Sequence, residues 1–126
     1  MRVIAGIAKG RKLQAPPGMK TRPITDMIKE ALFNILQPRV LDSSFLDLYA
    51  GSGSVGIEAL SRGAANAVFV DSDFQAVKLI KQNLAHCQLQ GEVYRNDVLD
   101  FLERMIRQGR SFDIIFADPP FTQEIL

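Results

Sequence analysis

The chain has 126 residues, enough for one domain, and its 47% hydrophobic and 23% charged residues are ordinary values for a globular protein. This composition argues against a disordered or coiled-coil chain, and no apolar run approaches the roughly 18 residues of a membrane span. The single cysteine, Cys87, excludes an intramolecular disulfide and a Cys-rich metal site. Because the first residues also lack a signal-peptide pattern, a cytoplasmic protein with no metal and no membrane partner is predicted.

The net charge of +1 conceals an uneven distribution along the chain. Residues 1–40 contain eight Lys/Arg and two acids, whereas residues 41–126 contain seven Lys/Arg and twelve acids. A basic segment on an acidic body favours a polyanionic partner for that segment, although a merely solvated basic surface would give the same pattern.

The first 40 residues are predicted to form a basic hairpin followed by a helix. Residues 2–5 and 11–14 have strand-like patterns, with a glycine at each end of the turn between them. Thr25 is a suitable N-cap for a helix whose apolar residues recur at helical spacing, and Pro38 is predicted to end it.

Strands and helices alternate from residue 44 onward. Strands are predicted at residues 45–49, 67–70, 92–95 and 112–117, and helices at residues 55–62, 74–89 and 98–108. This alternation, with an almost purely apolar last strand, predicts an α/β fold with a parallel sheet covered on both faces. Residues 41–126 would form a cofactor-binding core, and residues 1–40 an N-terminal extension of the same domain.

A complete G-x-G-x-x-G motif occupies residues 51–56, between a predicted strand and a predicted helix. An acid, Asp71, follows about 20 residues later at the end of the next strand. In that context the glycines Gly51 and Gly53 let the backbone approach a ligand, and the acid reaches ribose hydroxyls. The motif therefore predicts an adenosine-containing cofactor, either an NAD-type dinucleotide or S-adenosylmethionine.

Four aspartates decide between these two cofactors: Asp47, Asp71, Asp97 and Asp118. Asp47 lies in the first strand of the core, and the others lie at or just after the ends of the next three strands. A crevice rich in carboxylates repels a pyrophosphate but suits the sulfonium and ammonium groups of S-adenosylmethionine. The alternatives are that Asp47 braces the glycine loop and that Asp97 caps the following helix.

The tetrapeptide Asp118-Pro119-Pro120-Phe121 follows the last predicted strand directly. Two prolines remove two N–H donors, so a carboxylate and free carbonyls remain as acceptors. Such a site suits an exocyclic NH₂ group, with Phe121 stacking on a base that has left its stack. The alternative is a rigid turn with an ordinary surface phenylalanine.

These motifs resemble a known family. Residues 46–53 (LDLYAGSG) and 118–121 (DPPF) are similar to class I S-adenosylmethionine-dependent methyltransferases that act on exocyclic amines. A closer resemblance, to the bacterial 16S rRNA guanine-N2 methyltransferase family, extends over essentially the whole chain. It is carried by residues 1–6 (MRVIAG), 9–13 (KGRKL), 21–23 (TRP), 30–36 (EALFNIL), 56–64 (GIEALSRGA) and 83–84 (NL).

The resemblance implies a Rossmann-like fold and S-adenosylmethionine as cofactor. The substrate would be a guanine amino group of the rRNA, within the small ribosomal subunit or its assembly intermediate. It implies three sets of site residues. The cofactor would contact Asp47, Gly51, Gly53, Asp71 and Asp97, and the catalytic pocket would consist of Asp118, Pro119, Pro120 and Phe121. The rRNA phosphates would meet Arg2, Lys9, Arg11, Lys12, Arg22 and Lys29.

Four positions depart from the pattern of the family. Phe121 stands where the family usually has tyrosine, and Asp71 where it usually has glutamate. Met27 stands where arginine or another polar residue is usual, and Lys29 where arginine is usual. The differences at Met27 and Lys29 lie on the first helix and affect the RNA contacts that the resemblance implies for it.

Two other functions remain open on the sequence. One is methylation of adenine N6 in DNA or RNA, because the acceptor set does not distinguish adenine N6 from guanine N2. The other is a nucleic-acid-binding module, or an inactive fragment, without turnover. The family fold normally has seven strands and four are predicted here, so the chain is expected to be a C-terminally truncated, incomplete domain with an exposed last strand.

Overall fold

Four helices and four strands make up the described part of the chain, which is residues 1–16 and 24–119 of a computed structural model. From residue 44 onward they alternate as the sequence predicts. The helices are α1 (Asp26–Val40), α2 (Ser54–Ser61), α3 (Phe74–His86) and α4 (Val98–Gln108). The strands are β1 (Ser44–Leu48), β2 (Asn66–Asp71), β3 (Glu92–Arg95) and β4 (Ile114–Ala117).

The strands form one parallel sheet in the order β3-β2-β1-β4. The chain therefore moves from β1 outward to β3 on one side and then crosses back to place β4 on the other side of β1. Leu48 pairs with Val70 of β2 and with Ala117 of β4, so these three strands end at nearly the same level. The strand order reverses between β1 and β4, which is where ligands bind in open α/β sheets.

The two central strands are buried on both faces, as the sequence predicts for a doubly covered parallel sheet. Phe45 of β1 and Phe69 of β2 pack into a core with Phe33 of α1, and all three are fully buried. The alternate residues of the same strands pack on the opposite face against Phe101 of α4. Helices on both faces thus exclude water from β1 and β2.

The strand β4 is the outermost strand on its side within the described residues, where it pairs with β1. It begins at Ile114, two residues later than predicted. Ile115 is 56% exposed, so one face of this strand is open to solvent, as expected for an uncovered edge. Within residues 1–16 and 24–119, no helix has both the length and the apolar character that a membrane crossing requires.

The first helix begins as predicted and ends later. Thr25 is the N-cap, and its Oγ1 accepts a hydrogen bond from the Ile28 N–H at 3.2 Å. The prediction that Pro38 ends the helix is wrong, because α1 continues to Val40. Pro38 lacks the N–H that would donate to the Asn34 carbonyl. Because Asn34 is exposed, water can bond to that carbonyl instead.

The N-terminal segment, residues 1–14, turns back on itself but does not form two full strands. Arg2 and Lys12 form one antiparallel bridge, and the Val3 N–H donates to the Arg11 carbonyl at 2.9 Å. The predicted strands at residues 2–5 and 11–14 are therefore reduced to a bridge. Other backbone groups of these residues bond to side chains of α1, α2 and α3.

Candidate cofactor and substrate site

The glycine loop, residues 49–53, connects β1 to α2, and Asp118 directly follows β4. Since β1 and β4 are hydrogen-bonded neighbours with Leu48 opposite Ala117, the loop and Asp118 leave the sheet at adjacent strand ends. Asp71 ends β2 on the other side of β1. The reversal of strand order thus brings together three of the features that the sequence singled out.

Two glycines of the loop adopt a backbone conformation that other residues rarely reach. Gly51 has φ of 59° and Gly53 has φ of 80°, and Gly53 is the N-cap of α2. A side chain at Gly51 would point into open space, so the loop is accessible there. The third glycine of the motif, Gly56, has a packing role, because a Cβ there would lie 2.4 Å from the ring of Phe69.

Asp47 lies beneath the glycine loop and is 2% exposed. Its Oδ2 accepts a hydrogen bond from the Gly56 N–H at 3.0 Å. Burial raises the pKa of this carboxyl to about 8, and the charges of Asp71 and Asp118 act in the same direction. Asp47 therefore braces the start of α2 from inside the protein, which is the alternative role that the sequence left open.

The raised pKa of Asp47 makes folding stability depend on pH. Because the native state holds this proton up to about pH 8 and the unfolded chain releases it near 3.8, the native protein is expected to lose stability as pH rises between these values. The slope would not exceed about 1.4 kcal/mol per pH unit. The check is the difference in thermal stability between the wild type and Asp47→Asn, which keeps the acceptor for Gly56. A difference that is constant from pH 4 to pH 8 would contradict this assignment.

Asp71 and Asp97 also accept hydrogen bonds from backbone N–H groups. Asp71 is half-buried, with Oδ2 bonded to the Gly51 N–H and Oδ1 to the Asp73 N–H, both at 3.0 Å. Asp97 is exposed and is the N-cap of α4, where its Oδ1 accepts from the Asp100 N–H at 3.0 Å. The capping role considered for Asp97 is therefore present, and Asp71 ties the end of β2 to the glycine loop.

Asp118 and Pro119 are exposed at the end of β4. The charge of Asp118 contributes to the raised pKa of Asp47, so the two carboxyls lie near enough to interact. Pro120 and Phe121, the other two residues predicted for the catalytic pocket, lie outside the described residues.

Most of the residues predicted to meet RNA phosphates are exposed on the N-terminal segment. Lys9, Lys12 and Arg11 are exposed, and an Nη1 of Arg11 donates to the His86 carbonyl at 3.3 Å. Arg2 is exposed and lies 3.6 Å from Asp26 in a surface ion pair. Arg22 lies outside the described residues.

Lys29 does not fit its predicted role. Its side chain is fully buried, and its Nζ donates to the Arg2 carbonyl at 2.7 Å and to Ser54 Oγ at 2.9 Å and lies 3.3 Å from Glu58 Oε1. Burial lowers the pKa of Lys29, while the Glu58 carboxylate opposes that shift. The prediction that Lys29 contacts a phosphate is corrected, since its ammonium group is enclosed.

Glu58 is a structural centre that the sequence analysis missed. Its side chain is fully buried on α2, and its two oxygens accept hydrogen bonds from the Ile4 and Ala5 N–H groups at 2.9 and 3.1 Å. The same carboxylate pairs with Lys29 and, at 2.8 Å, with Arg62. The signal available in the sequence was a lone acid in α2, a helix that is otherwise uncharged.

The acidic side chains of the site would attract a cationic ligand and accept hydrogen bonds from it. The carboxylates of Asp71, Asp97 and Asp118 stand at or after the ends of three strands around a glycine loop. Within the described residues, no group of three or more His, Cys, Asp or Glu is arranged to hold a metal ion.

Comparison with known proteins gives consistent matches over the whole chain. The family model described as conserved hypothetical protein 95 matches residues 1–126. Bacillus subtilis (strain 168) YlbH, provisionally named an rRNA methyltransferase, is 46% identical over 100% of this chain and 70% of its own length. Haemophilus influenzae ribosomal RNA small subunit methyltransferase D is 43% identical over 96% of this chain and 64% of its own length.

Solved structures agree with this result. The Escherichia coli protein yhhF, provisionally titled a methyltransferase, is 37% identical and superposes with a TM-score of 0.84 over 100% of this chain and 67% of its own. The predicted α/β fold of Rossmann-like class I methyltransferase type is thereby confirmed. The chain spans about two thirds of the length of these relatives.

Proposed function

Because this chain belongs to the family described as conserved hypothetical protein 95, we propose that it methylates small-subunit ribosomal RNA with S-adenosylmethionine, and that the acceptor is the exocyclic N2 of a guanine. The rRNA part of the proposal is supported by the name of a relative 43% identical to this chain, a ribosomal RNA small subunit methyltransferase. The choice of guanine N2 rests on the family that the sequence resembles.

One observation carries the proposal: the glycine loop after β1 and Asp118 after β4 emerge side by side where the strand order reverses. A cofactor held along the loop would therefore lie next to an amine held by Asp118. Such placement makes transfer between the two effectively unimolecular.

The residues around the loop fit S-adenosylmethionine. Gly51 leaves open space above the loop, and Asp71 next to it is a half-buried acid at the end of β2. Asp71 would accept from the ribose hydroxyls, and the exposed carboxylate of Asp97 would accept from a second donor of the cofactor. Asp47 would act indirectly, through the glycine loop and the start of α2 that it braces.

The acceptors after β4 fit an exocyclic amine. The cofactor, when bound, supplies a methyl group on a sulfonium, which is an electrophile without further activation. Asp118 and the Pro119 carbonyl would accept hydrogen bonds from the two amine N–H groups, orient the nitrogen lone pair, and stabilise the positive charge that develops on nitrogen. Asp118 would also be the nearest acceptor for the proton that nitrogen releases after transfer. Pro120 and Phe121 are proposed to complete the pocket.

The exposed cations of the N-terminal segment are the proposed contacts with the RNA backbone. Lys9, Arg11 and Lys12 are free of carboxylate partners within the described residues. Phosphate contacts of this kind would give an affinity for RNA that falls steeply as salt rises. Arg2 would contribute less, because Asp26 already pairs with it.

Cofactor binding is expected to weaken when Asp71 is removed. Asp71→Ala loses both the proposed ribose contact and the bond to the Gly51 N–H. Hydrogen bonds to a charged group contribute about 1.5–3 kcal/mol, so the dissociation constant for S-adenosylmethionine should rise at least about tenfold. Isothermal titration calorimetry measures it directly.

Asp73→Ala is the matched control for that measurement. Asp73 lies two residues away and caps α3 through the Gln75 N–H. Its removal should lower stability by about 1 kcal/mol and leave cofactor affinity unchanged. Equal affinities for wild type and Asp71→Ala would contradict the proposed cofactor site.

A further inference from the structure

A buried amide on α3 contacts the glycine loop and the N-terminal segment at the same time. Asn83 is 2% exposed, and its Nδ2 donates to the Ser52 carbonyl at 2.9 Å and to the Gln14 carbonyl at 3.1 Å. Its Oδ1 accepts from the Gln14 N–H at 3.0 Å. One side chain thus satisfies both backbone groups of Gln14 and one carbonyl of the loop.

Other contacts join the same two parts of the molecule. The Lys29 ammonium bonds both the Arg2 carbonyl and Ser54 Oγ, at the residue that follows the loop. The hydroxyl of Ser52 lies 3.8 Å from the sulfur of Met1. Ser52 of the loop therefore contacts the N-terminal segment directly, and Ser54, the first residue of α2, is linked to it through Lys29.

These contacts exclude water, which makes their loss costly. Asn83 and Ser52 are buried, and Lys29 is fully enclosed. If the N-terminal segment moved away, the amide of Asn83 would lose two of its three hydrogen bonds. The side chain of Asn83 thus sets the positions of both Gln14 and Ser52.

We propose that Asn83 is a positioning residue that couples the basic N-terminal segment to the glycine loop, so that binding of RNA and binding of cofactor favour each other. This inference rests on the proposed function, because it takes the segment as the RNA contact and the loop as the cofactor site. A ligand that holds the loop in its bound conformation fixes Ser52, and through Asn83 it fixes Gln14. Such coupling is reciprocal: RNA that holds the segment raises the affinity for cofactor by the same factor.

The first test needs no substitution and no RNA. Amide hydrogen exchange of Gln14, followed by NMR, is compared in the wild-type chain with and without saturating S-adenosylmethionine. The coupling predicts that cofactor slows exchange at Gln14 at least about fivefold, the lower end of typical coupling factors. Unchanged exchange at Gln14, with slowed exchange at Gly51 and Gly53, overturns the inference and leaves the proposed cofactor site intact.

A pair of variants separates coupling from simple stability. Asn83→Ala removes the shared amide. Ser61→Ala is the control, since Ser61 Oγ accepts from the Ala8 N–H and donates to the Ala5 carbonyl but does not contact the glycine loop. Both variants should loosen the N-terminal segment. Only Asn83→Ala should weaken cofactor binding, at least about fivefold, and abolish the effect of cofactor on Gln14.

The outcomes distinguish this inference from the function on which it rests. Equal cofactor affinities for Asn83→Ala and wild type, or equal weakening by Ser61→Ala, overturn the positioning role. If Asn83→Ala does not fold, the exchange of Gln14 in the wild type decides alone. If the wild type shows neither heat of binding nor slowed exchange in the glycine loop with S-adenosylmethionine, the proposed function fails and this inference fails with it.

Discussion

Replacing Asp118 with asparagine is expected to lower the rate of methyl transfer at least about 100-fold while changing the affinity for S-adenosylmethionine less than about threefold. In the proposed mechanism the carboxylate would accept hydrogen bonds from the amine and match its developing positive charge, whereas the asparagine amide is neutral and carries two N–H groups of its own. The effect should therefore appear in the transition state and not in cofactor binding. Single-turnover transfer to undermethylated small-subunit particles and calorimetry with cofactor alone measure the two quantities.

The opposite end of the same strand offers a matched control. Asp113 precedes β4, is exposed, and accepts from the Ser44 N–H at 2.8 Å, far from the glycine loop along the strand. Asp113→Asn has the same change in charge and should transfer methyl groups at the wild-type rate. An Asp118→Asn variant with wild-type transfer, or with transfer reduced no more than in Asp113→Asn, would remove Asp118 from the chemistry.

The second large effect is on stability, at Glu58. Glu58→Gln leaves the buried ammonium of Lys29 without its carboxylate partner, which typically costs about 3–5 kcal/mol. It also presents an amide NH₂ to a place where two backbone N–H groups and Arg62 now find an acceptor. Since a domain is stable by only about 5–15 kcal/mol, urea unfolding should show a much lower midpoint.

Two further variants assign that loss to the buried charge. The double variant Glu58→Gln/Lys29→Met removes the unpaired ammonium and should recover part of the lost stability. Glu30→Gln, an exposed acid on the same helix as Lys29, should change stability by no more than about 0.5 kcal/mol. If Glu58→Gln lowered the free energy of unfolding by less than about 1 kcal/mol, the buried group of Glu58 and Lys29 would not be a main support of the N-terminal segment.

The sequence predicted the sheet well because its signals are local and strong. The G-x-G-x-x-G motif between β1 and α2 and the apolar runs of the strands specify the alternation, and β3 has the predicted bounds. The parallel sheet follows from that alternation, since parallel neighbours need a crossover connection. The order β3-β2-β1-β4 was not predicted, because the alternation of strands and helices does not by itself specify it.

The incorrect predictions came from reading local rules without the tertiary setting. Lys29 was assigned to the RNA phosphates by the resemblance to a family, but here Glu58 and two other oxygens enclose its ammonium. Pro38 was read as a helix end, yet α1 tolerates it close to its last turn. The segments at residues 2–5 and 11–14 have strand patterns, but they form a single bridge, and several of their backbone groups bond instead to side chains of the helices.

What could not be predicted is the network of buried polar groups behind the site. Glu58, Lys29 and Asn83 are far apart in sequence and meet only in the folded chain. A lone acid in α2 and a lone amide among the buried residues of α3 are signals that a polar partner is needed. They do not identify that partner as the backbone of the N-terminal segment.

We propose that a methyl group passes from a cofactor on the glycine loop to a guanine amine at Asp118. The most direct measurement is incubation of the chain with S-adenosylmethionine labelled in the methyl group and small-subunit particles lacking base methylation, followed by nucleoside analysis of the RNA. We expect label in N2-methylguanosine, lost in Asp118→Asn. Label in N6-methyladenosine, or cofactor binding with no transfer to RNA, would contradict it.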